Sequence, residues 1–460
     1  MNKYKDLSFH FIGIGGAGMS VIAELMHRQG AHVTGSDMRT SDVTSMLESQ
    51  GIRVFIGHDG DNVPPGATVV VSSAIREKNP ELIRARETNA PIMHRSEALA
   101  FVSQENDFVA VAGSHGKTTT SALLAHVLHG VGEDPSWAVG GSFVGGKTGS
   151  NAGNGRVFIA EADESDGSFL NYSPYIAVIT NVEDDHLDHY HGGTTVDDTF
   201  FDFTQKIRDT GVLIICSDDK RARAVGQRAV LAGKRVWSYG LYPQHALGEY
   251  YLHISARFAD NENYVATYDT PQGKLEMHLP TVGIHNVLNA GAVVSACLFL
   301  GIDIQSAVES FESFTGAQRR FELKGVAQGV TVIDDYAHHP TEVEATLGAA
   351  RQKYQKIHVV FQPHLYSRTR DFYKEFARAL SLADDVIVTS IYPAREDPIP
   401  GVEGNMITEN MNGKGEFVCD RWEAATVIAQ RASEGDVIIT MGAGDVTELG
   451  SVILEQVKNQ

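Results

Sequence analysis

One glycine-rich turn, between an apolar strand and a helix within residues 109–128, constrains the fold of this chain more than any other feature. The run Val-Ala-Val-Ala predicts a buried strand, and Gly-Ser-His-Gly-Lys-Thr-Thr-Thr follows it before a helical pattern begins. Glycines let backbone N–H groups turn toward phosphate oxygens, and the helix N-terminus adds positive potential. The lysine supplies a mobile cation and the threonine a hydroxyl ligand for Mg²⁺. The stretch therefore predicts a phosphate-binding loop.

The loop is shorter than the general G-x-x-x-x-G-K-[ST] pattern, because Val111 stands where that pattern has its first glycine. A plain glycine turn before an amphipathic helix would not require lysine and threonine at these positions, so a nucleotide triphosphate is the favoured ligand. The predicted nucleotide-binding residues of the loop are Gly113, Ser114, His115, Gly116, Lys117, Thr118 and Thr119.

A second glycine-rich turn lies in residues 9–19 and is followed by a helical pattern and a strand that ends in Ser36 and Asp37. An acidic residue about twenty positions after such glycines is the Rossmann arrangement, with a diphosphate on the helix N-terminus and the carboxylate at a ribose. A dinucleotide and a UDP-sugar share these features, so the pattern leaves both open. The candidate substrate-binding residues here are Gly15, Gly16, Ala17, Gly18, Met19, Ser36 and Asp37, together with Ser72 and Ser73 after a third strand.

Acidic residues and histidines follow two strands of the middle block, at residues 161–166 and 181–191. The carboxyl ends of parallel strands share one edge of a sheet, so these residues are expected near the phosphate-binding loop. We predict that Thr118, Glu161 and His186 are Mg²⁺ ligands. Zinc is the alternative for the histidines, but cysteines with metal spacing and a helical H-E-x-x-H motif are lacking. The sequence at 145–148 imitates a phosphate loop, but no helix pattern follows, and we interpret it as a mobile loop.

Length and alternation predict an α/β protein of three domains, because 460 residues exceed what a single core accommodates. We predict a Rossmann-like domain over 1–107 for a UDP-sugar, a P-loop ATPase-like central domain with a mostly parallel sheet over 108–318, and a Rossmann-like doubly wound domain over 319–460. The net charge of −20 argues against nucleic-acid binding, and no apolar run reaches the length of a membrane span. A cytoplasmic monomer or homodimer without membrane insertion is expected.

Six motifs, at residues 113–119, 161–166, 180–186, 285–289, 319–321 and 335–340, together resemble the Mur ligases, ATP-dependent amide-forming enzymes of peptidoglycan synthesis. The resemblance covers all three blocks. Residues 11–19 and 361–369 resemble most the branch of the family that joins L-alanine to UDP-N-acetylmuramate. The resemblance implies that the lactyl carboxylate of UDP-N-acetylmuramate takes the γ-phosphoryl group of ATP, and that L-alanine then attacks the acyl phosphate.

Roles for individual residues follow from the same resemblance. It implies Lys117 at the β- and γ-phosphates, Thr118 and Glu161 on one Mg²⁺, and His186 on a second metal. It places Asn286 and Asn289 near the nucleotide, Arg320 at its phosphates and Asp335 at its ribose, with Tyr336, His338, His364 and Arg368 lining the amino-acid pocket. Arg368 suits the alanine carboxylate because a guanidinium binds both carboxylate oxygens. The predicted catalytic residues are Lys117, Glu161, His186, Arg320 and His338, the last as acceptor of the amine's proton.

Three alternatives stay open at this point. A dehydrogenase would use the N-terminal glycines, but it leaves Lys117, Glu161 and the third block without a role. A sibling ligase of cell-wall recycling would join a preformed peptide to UDP-N-acetylmuramate and share every ATP residue. A non-catalytic UDP-sugar sensor would bind ligand without turning over ATP.

Overall fold

The computed structural model describes residues 4–141, 144, 149–164, 167–183, 195–259, 264–394 and 396–460. Within these residues, the strands form three sheets of five, ten and six strands. By contacts the chain forms two compact units, one of Met1–Ser255, Thr267–Leu275 and Leu288–Phe311, and one of Ala256–Ala266, Glu276–Val287 and Glu312–Gln460. Within the described ranges, every helix is too short or too polar to span a bilayer.

The first sheet is parallel throughout, with strand order β3-β2-β1-β4-β5. Its elements are β1 (Ser8–Ile12), α1 (Ala17–Arg28), β2 (His32–Asp37), α2 (Asp42–Ser49), β3 (Arg53–Ile56), β4 (Thr68–Val71), α3 (Pro80–Glu87), β5 (Ile92–His94) and α4 (Arg95–Val102). Helix α1 begins after the glycine turn, and its cap residue Gly16 has no side chain to occupy the first N–H groups. The Rossmann-like prediction for this part is confirmed.

The second sheet carries the phosphate-binding loop at its middle. Its elements are β6 (Asp107–Ala112), α5 (Lys117–Gly130), β7 (Ser136–Ala138), β8 (Ser150–Asn151), β9 (Val157–Glu161), β10 (Ile176–Ile179), α6 (Val196–Gln205), β11 (Val212–Cys216), α7 (Lys220–Leu231), β12 (Val236–Gly240), β13 (Tyr250–Phe258), β14 (Tyr264–Thr270), β15 (Gly273–Leu279), α8 (Ile284–Leu300) and α9 (Val308–Glu312). The strand order is β15-β14-β13-β12-β11-β10-β6-β9-β7-β8. Because β10 and β9 both run parallel to β6, the loops after these three strands meet at one edge.

The third sheet has the order β16-β17-β21-β18-β19-β20. Its elements are β16 (Glu322–Ala327), β17 (Val330–Asp335), α10 (Pro340–Lys353), β18 (Ile357–Phe361), α11 (Tyr366–Leu380), β19 (Asp385–Val388), α12 (Asn405–Thr408), β20 (Gly415–Phe417), α13 (Arg421–Arg431), β21 (Val437–Met441) and α14 (Leu449–Lys458). The five neighbouring strands β17, β21, β18, β19 and β20 are parallel. Strand β16 pairs antiparallel with β17 at the edge of the sheet. The doubly wound prediction is confirmed, with β16 as an addition.

Candidate functional site

The phosphate-binding loop adopts a backbone that requires glycine at two positions. Gly113 has φ +137° and Gly116 has φ +84°, so both lie where side chains cause strain. A Cβ on Gly113 would stand 2.0 Å from Thr180 Oγ1, and one on Gly116 would stand 2.8 Å from Asn289 Oδ1. The loop therefore packs closely against the end of β10 and against α8, and Asn289, one of the predicted nucleotide contacts, lies beside it.

The segment after β10 holds the loop in shape through hydrogen bonds. His115 N–H donates to Asn181 Oδ1 at 2.8 Å, while His115 O accepts from Asn181 Nδ2 at 2.9 Å and from Thr180 Oγ1 at 2.6 Å. Glu183 N–H donates to Ser114 Oγ at 2.8 Å. The amides of Ser114 and His115 are therefore engaged, and phosphate is expected to bind at the amides of the α5 N-terminus.

Lys117 is held by carboxylate and carbonyl oxygens. Its Nζ lies 2.9 and 3.1 Å from the two carboxylate oxygens of Glu164 and donates to Gly113 O at 2.6 Å. Only 2% of the Glu164 side chain is exposed. Burial would lower the pKa of Lys117, but the charges of Glu164 and Asp163 outweigh it and raise the pKa to about 12. Lys117 is thus a fixed cation, and its carboxylate partner was not among the predicted residues.

A backbone turn at Gly140 and Gly141 lies close to both Glu161 and Thr118. Gly140 N–H donates to Glu161 Oε1 at 2.6 Å, and a Cβ on the neighbouring Gly141 would stand 3.4 Å from Thr118 Cγ2. The same backbone turn therefore approaches both predicted metal ligands. Oxygen donors from a carboxylate and a hydroxyl fit Mg²⁺ rather than a soft metal. His186 and the other histidines of 184–194 lie outside the described residues, as does the imitation loop at 145–148.

A cavity of about 130 Å³ joins this edge to the first sheet. Gly18 and Arg95 line it on the side of the first sheet, and Glu161 and Asp163 line it on the side of β9. A Cβ on Gly18 would stand 2.8 Å from Arg95 Nη1, so the guanidinium lies against the first turn of α1. Within the described part of the chain Arg95 has no ion-pair partner. Sequence reasoning missed Arg95, because a single arginine at a helix start carries no motif.

The other residues predicted for the UDP-sugar have different environments. Asp37 Oδ2 accepts from Gly15 N–H at 2.9 Å, so a hydrogen bond joins the β2 carboxylate to the glycine turn. Ser72 is half-buried and Ser73 is exposed at the end of β4. Met19 is 3% exposed and packs in the core, so only its backbone is available to a ligand. Gly16 is exposed and Ser36 is buried.

In the second unit, Asp335 stabilises the turn that contains Arg320 through hydrogen bonds to backbone amides. Its Oδ2 accepts from Phe321 N–H at 2.7 Å, and its Oδ1 accepts from Ala337 N–H at 2.8 Å. Burial raises the pKa of Asp335 to about 6, although the charge of Arg320 and the two backbone donors oppose it. Asp335 is 6% exposed, so most of its hydrogen-bonding capacity serves the turn. The predicted ribose contact of Asp335 stays a prediction.

The pH dependence of stability should report this buried carboxyl. Folded Asp335 keeps its proton to about pH 6, whereas the unfolded chain releases it near 3.8. The folded state therefore binds more protons in that window, and the contribution of Asp335 to the unfolding free energy falls as pH rises from about 4 to about 6. Urea unfolding of the wild type and Asp335→Asn should give a difference that falls through this window and is constant above it. A difference that is constant from pH 4 to 7 would contradict the assignment.

Tyr336 and His338 lie in the loop after β17, with two arginines at the tyrosine. The guanidinium carbons of Arg319 and Arg320 lie 4.8 and 5.0 Å from the centroid of the Tyr336 ring. His338 Nδ1 lies 3.0 Å from Tyr336 O and 3.2 Å from Glu342 Oε2. Both neighbours are acceptors, so Nδ1 carries the proton and Nε2 of neutral His338 has the lone pair.

His364, in the loop after β18, and Arg368, in α11, extend the same cluster. The rings of His338 and His364 have centroids 5.8 Å apart, and Tyr392 stacks on His364 at 5.7 Å. Arg368 is 6% exposed in the first turn of α11, and the helix begins after Leu365, whose φ is +71°. The structure thus brings the four residues predicted for the amino acid to the carboxyl ends of β17 and β18.

Steric contact at Gly113 gives a test of the loop. Gly113→Ala places a methyl group on Thr180 and should destabilise the protein and weaken nucleotide binding. Gly132→Ala is the matched control, because Gly132 has φ +86° but an added methyl carbon there would meet no heavy atom of the described residues within 4 Å. We expect the control to cost about 1–2 kcal/mol from backbone strain alone, and Gly113→Ala to cost more. Equal melting temperatures and equal ATP affinities for the two variants would argue against the close packing.

Models of one protein family match the chain in three consecutive segments. The Mur ligase family, catalytic domain, matches residues 8–106, the Mur ligase middle domain matches 111–297, and the Mur ligase, glutamate ligase domain, matches 319–444. A UDP-N-acetylmuramate--L-alanine ligase of Renibacterium salmoninarum is 48% identical over 450 residues, which are 97% of this chain and 95% of the relative. One of the same name from Paenarthrobacter aurescens is also 48% identical, over 97% of this chain and 96% of the relative.

Two solved structures share the fold over nearly the whole chain. The UDP-N-acetylmuramate-alanine ligase of Thermotoga maritima superposes with a TM-score of 0.76 at 31% identity, covering 98% of this chain and 99% of that chain. A murein peptide ligase of Psychrobacter arcticus has a TM-score of 0.67 at 24% identity, covering 99% of both chains. The second likeness concerns the fold alone.

Proposed function

The chain belongs to the Mur ligase family, and from that premise we propose that it joins L-alanine to the lactyl carboxylate of UDP-N-acetylmuramate, with ATP converted to ADP and phosphate. The cavity that places Gly18 and Arg95 opposite Glu161 and Asp163 is the single observation that carries the proposal. It gives a nucleotide-sugar held on α1 direct access to the edge that bears the phosphate-binding loop. Because the reaction consumes ATP, we propose that the protein acts in the cytoplasm. We also propose that it is a monomer or a homodimer.

In the first step a carboxylate oxygen attacks the γ-phosphorus of ATP, a P–O bond to it forms, and the bond to ADP breaks. Lys117 binds the β- and γ-phosphate oxygens and neutralises their charge, which is the main contribution a protein makes to phosphoryl transfer. Glu164 keeps Lys117 charged and close to the loop until ATP displaces part of that contact. The first N–H groups of α5 and the side chain of Asn289 orient the phosphates.

Magnesium fits the oxygen donors of Thr118 and Glu161, with Asp163 lining the same cavity. When bound, the ion supplies charge neutralisation for the phosphates. His186 is proposed for a second metal, and Arg320 and Asn286 for contacts to the nucleotide. The amide nitrogen of Asn286 donates to Val282 O at 2.7 Å, so its side-chain oxygen is the atom that suits a ligand donor.

In the second step the amine nitrogen of L-alanine attacks the acyl carbon, and the tetrahedral intermediate expels phosphate as the C–O bond breaks. Nε2 of His338 accepts the proton that the nitrogen loses, because Nδ1 is committed to Tyr336 O and Glu342. Arg368 binds the alanine carboxylate, and Tyr336 and His364 bound the space for its methyl group.

An amino-acid screen for ADP release, with UDP-N-acetylmuramate and Mg²⁺ present, tests this function. We expect release with L-alanine and much less with an L-alanyl tripeptide. Release that requires the tripeptide would assign the peptide ligase instead, and tight UDP-sugar binding without ADP under any amine would assign the non-catalytic sensor. The rate of ADP release is followed continuously by coupling it enzymatically to NADH oxidation.

Arg95 gives the test of the cavity. We propose that its guanidinium binds the diphosphate of the UDP-sugar beside the first turn of α1. Arg95→Ala should raise the KM for UDP-N-acetylmuramate about 30-fold or more, since a charge-assisted bond in a partly closed site is lost, and leave the KM for ATP unchanged. Arg84→Ala is the control, because Arg84 lies exposed on α3. An equal effect on both KM values would contradict this role.

A further inference from the structure

A buried carboxylate organises the carboxyl ends of β2 and β3. Glu81, the second residue of α3, is 0% exposed and accepts from Ser36 Oγ at 2.5 Å and from Asn62 Nδ2 at 2.8 Å. His58 Nδ1 lies 3.3 Å from the same carboxylate, and His10 Nε2 lies 3.7 Å from it. Such a convergence of polar groups around one fully buried acid exceeds what capping a short helix needs.

Glu81 is ionised at neutral pH. Burial by itself would raise its pKa, but the groups that face it, His10 first and then Ser36 and Asn62, act in the opposite direction and hold the pKa below the ordinary value. A carboxylate only accepts hydrogen bonds, so Ser36 and Asn62 are the donors in their bonds to Glu81.

The proton of His58 is fixed by this arrangement. Ser36 gives its hydroxyl hydrogen to Glu81, so at 2.9 Å from His58 Nδ1 the Ser36 oxygen is an acceptor. Both neighbours of Nδ1 therefore accept, and Nδ1 carries the hydrogen. In the neutral imidazole, Nε2 then has the lone pair. The His58 side chain is 13% exposed, and its Nδ1 faces the fully buried carboxylate of Glu81.

The position of His58 suits contact with a nucleoside base. Asp37 at the end of β2 is the predicted ribose ligand, and ligands of such sheets lie outside the carboxyl ends of the strands, so the base attached to that ribose is expected at this edge. Strand β3 pairs with β2, and Gly57, which follows β3, donates its N–H to Asp37 O at 2.8 Å. His58 comes next in the chain.

We propose that Glu81 is a positioning residue which holds His58 as the Nδ1–H tautomer, so that Nε2 accepts the N3–H of uracil and selects uridine over cytidine nucleotides. Cytosine has an unprotonated N3 and would face Nε2 with a second lone pair. The inference rests on the proposed function, because it takes the nucleotide to be the UDP-sugar.

The tautomer is measured first, by ¹⁵N NMR of histidine-labelled full-length protein without ligand, with His58→Gln to assign the signal. We expect an unprotonated Nε2 at His58 in the wild type and in the control Glu87→Gln, whose side chain is exposed on α3. In Glu81→Gln the amide can donate to Nδ1, and we expect the proton to move to Nε2. An Nε2–H tautomer in the wild type would overturn the inference, whatever the enzyme's substrate.

Base selectivity is measured second, as the ratio of kcat/KM for UDP- and CDP-N-acetylmuramate in ADP release. The wild type and Glu87→Gln should prefer the uridine nucleotide, and Glu81→Gln should lower the ratio about tenfold or more, the effect of one hydrogen bond at a selective site. A merely structural role would reduce both rates and leave the ratio unchanged, which would overturn the inference. No turnover with either nucleotide in the wild type would instead refute the proposed function and leave the NMR result to decide.

Discussion

Replacing Lys117 by alanine is expected to lower ADP formation by at least about 10³-fold, the scale at which a single cation stabilises phosphoryl transfer. The reason is that Lys117 is the cation which the phosphate-binding loop itself supplies, and Glu164 already holds it charged at that place. Since ATP also contacts backbone amides, its affinity should fall much less than kcat. Coupled assays and calorimetric ATP titration measure the two quantities separately.

Lys220→Ala is the matched control for this variant. Lys220 is also the first residue of a helix that follows a strand of the same sheet, but it is exposed and its helix is capped by Asp219. The control should keep wild-type turnover. Glu164→Gln is a second test variant. It weakens the interaction between Glu164 and Lys117, and we expect it to leave folding intact and to ease ATP entry. If Lys117→Ala retained more than a tenth of wild-type kcat, the loop would not be the site of phosphoryl transfer.

His338→Ala should separate the two chemical steps. Loss of a general base lowers a rate by about 10²- to 10⁴-fold, and here the loss should fall on amide formation alone. Hydroxylamine traps an acyl phosphate, so the variant should still form hydroxamate from UDP-N-acetylmuramate and ATP when L-alanine is left out. The product amide, measured by mass spectrometry, should fall by at least about 10²-fold.

Two further variants show whether His338 acts through Nε2. His278→Ala replaces an exposed histidine and should match the wild type in both assays. Glu342→Gln keeps a side chain near Nδ1 but removes its charge, and should lower amide formation less than the alanine variant does. Equal loss of hydroxamate and amide in His338→Ala would mean that His338 serves the nucleotide or the fold, and the assignment as base would be wrong.

The sequence predicts the parts of this fold that depend on local chemistry. The mostly apolar run at residues 357–361 predicts a buried strand, and β18 spans the same residues. The pattern that follows predicts a helix over residues 371–382, but α11 begins earlier, at Tyr366. The polar run Ser-Arg-Thr-Arg is typical of a loop in the sequence, whereas in the structure Arg368 is buried. Strand β16 is not predicted either, because an edge strand with exposed Leu323 and Val326 lacks a regular alternation.

The candidate site shows the same division between local and long-range information. Gly113 and Gly116 are predictable because their backbone angles are properties of the loop itself. Glu164, Arg95 and Glu81 act on residues 47, 77 and 45 positions away in the chain, namely Lys117, Gly18 and Ser36. Such partners follow from the order of strands in the sheets and not from any spacing in the sequence. Only the fold brings them to the residues that the motifs mark.

The central claim is that the γ-phosphoryl group of ATP passes to a carboxylate of the nucleotide-sugar before the amide forms. It is tested most directly with UDP-N-acetylmuramate labelled with ¹⁸O in its lactyl carboxylate, followed by mass spectrometry of the phosphate released with L-alanine. We predict that one labelled oxygen from each carboxylate appears in the phosphate, because the C–O bond breaks when phosphate leaves. Phosphate without label, alongside normal formation of the amide, would contradict the claim.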